Sequence, residues 1–365
     1  MKEIGILTTW NVPNYGAFLQ AYALQKVISS LDDNYNVKQI AYLEPEHFRV
    51  YYKLNNLRYR FSYCDPRTYF NILRRFFSGK TRELKPFLSY FKEFIPCTEP
   101  LTKKTIKEKH FDTIVLGSDI IWDYSIGFVN HDEFVFGNHL NADKLISYAP
   151  SFGTIKQSIK CPQYVIDGLN RMSAISVRDE NSRKLVKQYV GKDSLVVCDP
   201  TILWDFQNDN KIPILKKEKY IIVYGSTFTD ELIKGCVKYA KMNNLKLICL
   251  DSLDDTFYWC DENIKQNNLN PFQWLSYFKY AEVIFTCTYH GLLFSLIFNK
   301  RTVFSPTQFI LDKASSFIDY LDLKDVLVNF TDFTKKADWE WNYTKINEKL
   351  NSLRRTSLEY LKDNL

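Results

Sequence analysis

Short apolar runs separated by segments of helical period recur through most of this chain, and that alternation leaves few folds open to it. Ile4-Gly5-Ile6-Leu7 reads as a buried strand. The segment after it places Ala17, Ala21, Leu24, Val27, Ile28 and Leu31 on one helical face. Further strand-like runs stand at 37–43, 113–116, 145–148, 174–177 and 195–198. A second series begins with a strand at 220–225. A helix at 229–242, a strand at 245–250, a helix at 272–280, a strand at 283–286, a helix at 292–299 and a strand at 302–304 follow it. Strands alternating with helices predict an α/β fold with parallel sheets and right-handed crossovers.

At 365 residues the chain is long enough for two such domains. The expected division is a first domain at 1–205, a polar linker at 206–217 containing Pro213, and a second domain at 218–335. Residues 336–365 are expected to end in an amphipathic helix packing back on the first domain, because Leu350, Leu353, Leu358 and Leu361 need cover. Hydrophobic residues at 45% and charged residues at 25% are globular proportions, and a core of this size needs neither disulfides nor a structural metal. None of the eight cysteines forms a C-x-x-C pair. Cys198, Cys249 and Cys287 lie in apolar runs and read as buried thiols, which suits a reducing cytoplasm. The opening strand-like run is too short for a secretory signal, and no stretch approaches the roughly 18 apolar residues of a membrane span.

Residues 49–109 break the alternation. They hold 15 Lys or Arg against 5 Asp or Glu, whereas the whole chain carries a net charge of +6. Aromatic residues are interleaved with that charge. The segment reads as a helical insertion in the first domain, its aromatics entering the core. A second reading is that part of this surface docks on an anionic membrane, where basic residues and Tyr rings at headgroup depth give reversible attachment. Binding to nucleic acid through the same charge is the less favoured use.

Four strand-to-helix junctions carry candidate chemistry, since ligands bind at the carboxyl edge of an open α/β sheet. At Asn14-Tyr15-Gly16-Ala17, backbone N–H groups at a helix start suit an anion, although an ordinary helix cap would look the same. No G-x-G-x-x-G fingerprint is present. In Gly117-Ser118-Asp119 the carboxylate could take a proton from a sugar hydroxyl or cap the next turn. Arg178, ending a buried strand, could grip a carboxylate or phosphate with two parallel bonds, or pair internally with Asp199. His290, in Thr288-Tyr289-His290-Gly291, is the histidine placed at such a junction, where it could bind or transfer a proton or serve as an ordinary structural histidine.

These blocks together resemble the polysaccharide pyruvyltransferase family. Asn14-Tyr15-Gly16-Ala17 with Leu19-Gln20-Ala21-Tyr22 is similar to its opening motif, and Gly117-Ser118-Asp119 with Trp122 to its second block. Ser176-Val177-Arg178-Asp179 and Asp199-Pro200-Thr201 resemble its middle, and Thr288-Tyr289-His290-Gly291 with Phe294-Ser295 its last block. The resemblance implies two Rossmann-like domains facing a cleft, as in B-type glycosyltransferases. It implies phosphoenolpyruvate as donor, a sugar diol of a polysaccharide or its lipid-linked precursor as acceptor, and no cofactor or metal. His290 and Asp119 would be catalytic. Arg178, Asn14, Tyr15, Gly16, Ser118, Thr288, Tyr289 and Gly291 would bind substrate, and the three residues Asp119, Arg178 and His290 would converge. In some relatives an arginine stands where this chain has Thr288, which leaves donor-anion recognition at that position open, with Lys300 and Arg301 as candidate substitutes. A nucleotide-sugar glycosyltransferase of the same shape is the alternative function, with an inactive scaffold behind it.

Overall fold

Strands that read as unbroken apolar runs are those buried on both faces, and the central strands of both sheets are of this kind. The computed structural model describes residues 1–43, 84–125, 132–215, 218–252, 257–265 and 268–365, together with Pro66, Tyr69, Phe70, Leu73 and Phe77. These form two units, Met1–Trp204 with Thr356–Leu365, and Asp205–Arg355.

In the first unit, β1 (Lys2–Leu7), β2 (Tyr35–Gln39), β3 (His110–Leu116) and β4 (Asn141–Ser147) form a parallel sheet of order β2-β1-β3-β4. A bridge between Ile146 and Ala174 continues it toward the paired short strands β5 (Ser176–Val177) and β6 (Leu195–Val196). The chain steps from β1 to β2 on one side and then to β3 on the other, so the order reverses between β1 and β3. That crevice is where an open α/β sheet offers a site. Helix α1 (Tyr15–Ser29) follows β1 and is buried along most of its length, as a helix covering a parallel sheet must be.

Helix α2 (Leu84–Phe94) belongs to the basic insertion. Its Phe91 is fully buried, edge-on to Phe18 at 5.0 Å and to Trp10 at 6.4 Å, while Lys92 and Glu93 are exposed. This part of the insertion therefore does feed the core. Most of 44–83 lies outside the described residues. Four described side chains there, Tyr69, Phe70, Leu73 and Phe77, are helical and exposed by 52%, 67%, 53% and 81%, so they do not enter the core. Helices α3 (Gln163–Arg171) and α4 (Glu180–Val190) complete the layer around β4 to β6.

The second unit has β7 (Tyr220–Tyr224), β8 (Lys246–Ser252), β9 (Glu262–Lys265), β10 (Val283–Thr286) and β11 (Arg301–Phe304), all parallel, in the order β11-β10-β7-β8-β9. Helices α5 (Asp230–Met242), α6 (Pro271–Lys279), α7 (Tyr289–Ile297) and α8 (Gln308–Tyr320) connect or follow them. The order reverses between β7 and β10. Both units thus have the parallel strand order of a Rossmann-like fold.

The polar stretch at 206–215 is built into the second unit. Phe206 is fully buried and meets Phe294 edge-on at 5.5 Å, Ile212 is buried, and Gln207 Nε2 donates to the Ile297 carbonyl at 2.5 Å. The last helix, α9 (Tyr343–Asn364), contributes to both units. Lys349 on its first half donates to the Tyr320 carbonyl and to Asp322. On its last turns, Ser357 Oγ accepts from the Cys198 N–H at 3.0 Å and the Tyr360 hydroxyl donates to the Ser147 carbonyl at 2.9 Å.

Candidate functional site

In the first unit the junctions after β1 and β3 are tied together at the point where the strand order reverses. The Thr8 hydroxyl donates to the Ser118 carbonyl at 2.9 Å. Gln20 Nε2, fully buried on α1, donates to the Thr8 and Thr9 hydroxyls at 3.1 and 3.2 Å. Asn14 is the N-cap of α1, accepting from the Ala17 N–H at 3.1 Å, and it is exposed. Tyr15 and Gly16 are buried in the first helical turn, Tyr15 completely. At this junction the cap reading describes Asn14 and a core reading describes Tyr15.

After β3 the backbone must turn sharply. Gly117 has φ +121°, and a Cβ there would overlap the Tyr148 carbonyl oxygen, so only glycine serves. Ser118 is buried, and Asp119 follows at φ +79° with its Oδ1 accepting the Ile120 N–H at 2.9 Å. Trp122 of the same block is a core residue, packed on Phe136 and Phe152.

Arg178, at the end of β5, meets this turn. Its Nη1 lies 3.4 Å from Asp119 Oδ1 and 3.3 Å from Asp199 Oδ2. The pairing with Asp199 anticipated from sequence is therefore present, with Asp119 as a second acceptor. The arginine and Asp199 side chains are 3% and 0% exposed, whereas that of Asp119 is 13% exposed. Asp199 is also committed to the Thr201 N–H and hydroxyl at 3.0 and 2.8 Å. Asp179 caps α4 through the Ser182 N–H and takes the Ser151 hydroxyl at 2.6 Å. Of the two acids paired with Arg178, Asp119 is thus the one whose side chain is not wholly buried.

In the second unit the corresponding reversal lies between Gly225, after β7, and the turn from β10 into α7. Gly225 has φ +128°, and a Cβ on it would strike Cys287 Sγ. Thr288 is the N-cap of α7: its hydroxyl accepts the Gly291 N–H at 3.0 Å and lies 3.2 Å from that of Thr286. His290 sits in the first turn, 9% exposed, its ring 5.4 Å from that of Tyr289. The Lys313 ammonium of α8 stands 4.8 Å over the Tyr289 ring.

Lys300 and Arg301 do not fill the place left by Thr288. Arg301 pairs with Val283 at the start of β10 and reaches Asp338, so both cations stand at the amino end of the strands. The turn holding His290 is at the carboxyl end, a direction fixed by parallel pairing. The cation beside that turn is Lys313, whose distance in sequence from the junction gave no local signal. Asp119 and Arg178 are brought together within one unit; His290 belongs to the other. Among the described residues no cluster of His, Cys, Asp and Glu is arranged to hold a metal ion, and no helix is long and apolar enough to cross a membrane.

The family described as polysaccharide pyruvyl transferase matches residues 14–306, a span that includes all four junctions. No curated protein matches the chain. Among solved structures, Staphylococcus aureus MnaA in its UDP co-structure superposes with a TM-score of 0.52 at 14% identity, over 95% of this chain and 91% of that one. The UDP-GlcNAc 2-epimerase of Neisseria meningitidis bound to UDP-GlcNAc gives a TM-score of 0.45 at 10% identity, over 98% and 100% of the two chains. Escherichia coli heptosyltransferase WaaC with ADP gives 0.40 at 10% identity, over 84% and 90%. At these identities the likeness concerns the fold and not the reaction.

Proposed function

The chain belongs to the polysaccharide pyruvyl transferase family, and we propose that it transfers the pyruvyl group of phosphoenolpyruvate to two hydroxyls of one sugar, forming a ketal and releasing inorganic phosphate. The observation that supports this reading most directly is Asp119, a carboxylate oriented by a buried arginine at the strand-order reversal of the first unit. In the balance of the reaction, one hydroxyl adds at C2 of the donor while C3 gains a proton. The second hydroxyl then displaces phosphate from C2. Two O–H protons are lost, one appearing in the new methyl group and one on the phosphate.

Asp119 is suited to orient and deprotonate an acceptor hydroxyl. Arg178 already serves two carboxylates and is assigned to positioning Asp119. In the second unit, the N–H groups at the start of α7, the His290 imidazole and the Lys313 ammonium suit the anionic groups of a donor. His290 can also pass a proton to leaving phosphate. This chemistry asks for no cofactor.

The acceptor is a glycan or its lipid-linked precursor, and we place the reaction at the cytoplasmic face of a membrane. The support is the 15-to-5 excess of basic residues at 49–109 together with the exposed Tyr69, Phe70, Leu73 and Phe77. Their spacing sets them on one helical face, as in a helix lying in the headgroup layer.

The deciding experiment incubates the protein with sugar diols and either phosphoenolpyruvate or nucleotide sugars, following phosphate and nucleotide release. Phosphate release that depends on phosphoenolpyruvate and acceptor supports the reading. Nucleotide release from a UDP-sugar, with no phosphate from phosphoenolpyruvate, replaces it with glycosyl transfer. Thermal stabilisation by phosphoenolpyruvate alone reports the donor site separately.

A further inference from the structure

The carboxyl edge of the second sheet carries a carboxylic acid that the preceding reading leaves unused. Parallel register sets Thr286, Tyr224 and Leu250 level on β10, β7 and β8. The next residue on each strand, Cys287, Gly225 and Asp251, continues that row at the edge. With about 4.8 Å between neighbouring strands, Asp251 lies roughly 10 Å along the edge from Cys287, on the sheet that presents His290.

Asp251 is not a regular strand residue. The pairing of β8 with β9 slips there: Leu250 is opposite Ile264 and Ser252 opposite Lys265, which leaves Asp251 as the extra residue. Its φ is +61°, a left-handed conformation that an L-residue adopts at some cost. A bulge of this kind re-aims one side chain, and bulges gather beside active sites. The sequence spends that distortion on an aspartate where glycine would sit without strain.

The surroundings suit a carboxyl that keeps its proton. Burial pushes the Asp251 pKa up to about 8, and a hydrogen bond with Tyr224 on β7 offsets this only in part. On β9 the charged residues are Glu262, level with Ile248, and Lys265, level with Ser252. Helix α5, packed on the same strand, brings Asp230 and Glu231 in its first turn. Asp254 and Asp255, next in the chain, lie outside the described residues.

We propose that Asp251 is a further catalytic residue of the transferase, the acid that protonates C3 of the enolpyruvyl donor. The proposal rests on phosphoenolpyruvate being the donor. The Asp251 O–H bond breaks as the π electrons of the donor double bond form the new C3–H bond. The acceptor hydroxyl oxygen closes on the electron-poor C2 and gives up its proton to the base already assigned to it, and the Asp251 carboxylate regains a proton from solvent. His290 is then left to hold the phosphate and protonate it on departure.

The test compares wild type with Asp251→Asn in two independent measurements. The first is the thermal midpoint between pH 4 and 9. Because the folded-state pKa lies above the unfolded value, the stability this carboxyl contributes is complete below about pH 4 and is lost as pH rises through about 8. The wild-type midpoint should therefore fall relative to the variant across that window. The second is turnover with phosphoenolpyruvate. We expect kcat to fall roughly 10²- to 10⁴-fold in the variant, with KM for phosphoenolpyruvate little changed. The alkaline limb near pH 8 should vanish from the residual activity. Parallel midpoint curves overturn the protonated carboxyl. A pH-dependent midpoint difference with undiminished kcat makes Asp251 a structural acid and overturns its catalytic role. A wild-type protein that neither binds nor consumes phosphoenolpyruvate overturns the donor reading and the acid role with it, whereas the midpoint curves still report the state of the carboxyl.

Discussion

Arg178 holds Asp119 with Nη1 3.4 Å from Oδ1, so a carboxylate whose side chain is 13% exposed is fixed by a guanidinium that is 3% exposed. Asp199, fully buried, shares the same nitrogen. This arrangement separates orientation from chemistry. Asp119→Asn keeps the shape of the side chain and removes its basicity. It should lower kcat roughly 10²- to 10⁴-fold while changing stability little. Arg178→Met strands the buried Asp199 carboxylate and should cost about 3–5 kcal/mol in denaturant unfolding. Arg178→Lys should recover part of that stability and little of the turnover, since a flexible ammonium does not hold Asp119 in the orientation that the planar guanidinium fixes. Equal unfolding free energies for wild type and Arg178→Met would remove the arginine from its structural role.

Lys313 is the cation that α8 brings to the turn holding His290, through the face of Tyr289. In Lys313→Met the apparent KM for phosphoenolpyruvate should rise about 10- to 100-fold, the loss expected for one charge-assisted contact. The kcat and thermal midpoint should move little. Arg301→Met, at the opposite end of β11, is the matched control and should leave that KM unchanged. A KM that responds to Arg301 and not to Lys313 would reverse the assignment.

Lys336 is a buried lysine whose Nζ donates to the carbonyls of Phe304 and Leu327 at 2.7 and 2.8 Å. Burial pulls its pKa down to about 8 from 10.5. The unfolded chain therefore holds this proton more tightly, and stability rises with pH between about 8 and 10.5. Below pH 8 both states are protonated and the cost of burying the ammonium is fully in force. A neutral amine still donates to both carbonyls. The unfolding free energy of wild type minus that of Lys336→Met should accordingly grow from pH 8 to pH 10. A flat difference would show that the amine stays charged throughout.

The exposed apolar side chains of the basic insertion should be read out by liposome flotation. Wild type should float with vesicles containing anionic lipid at low salt and less so at high salt, since each basic residue near the leaflet contributes about 1 kcal/mol that salt screens. Replacing Phe70 and Phe77 with Ser should weaken flotation without altering the thermal midpoint. Equal binding to neutral vesicles, or none to either, would leave the segment with a packing role alone.

Where both faces of a strand are covered, the sequence announces it. Ile4-Gly5-Ile6-Leu7 and Val283-Ile284-Phe285 were legible for that reason. The edge strand β9, Glu262-Asn263-Ile264-Lys265, buries only Ile264 and leaves no apolar run to find. The junction residues Asp119, Arg178 and His290 stood out as polar groups directly after apolar runs, and the structure places each at a strand end. Asp251 follows Ile248-Cys249-Leu250 in the same manner, so the signal existed; what made it distinctive, the slip in register, belongs to the pairing with β9 and not to the local sequence. Lys313 is legible only once β11 has been laid beside β10. The polar character of 206–215 suggested a linker because it said nothing of Phe206 and Ile212, two apolar anchors that suffice to fix the stretch.

Helix α9 also sets a timetable for synthesis. The first unit counts Thr356–Leu365 among its parts, and that piece carries Leu361, fully buried, with the Ser357 and Tyr360 bonds to Cys198 and Ser147. Residues 1–204 leave the ribosome long before the segment that closes them. A domain of this order gains its last bonds only after the second unit has been made. A truncation within this helix would therefore be felt in the sheet of the first unit.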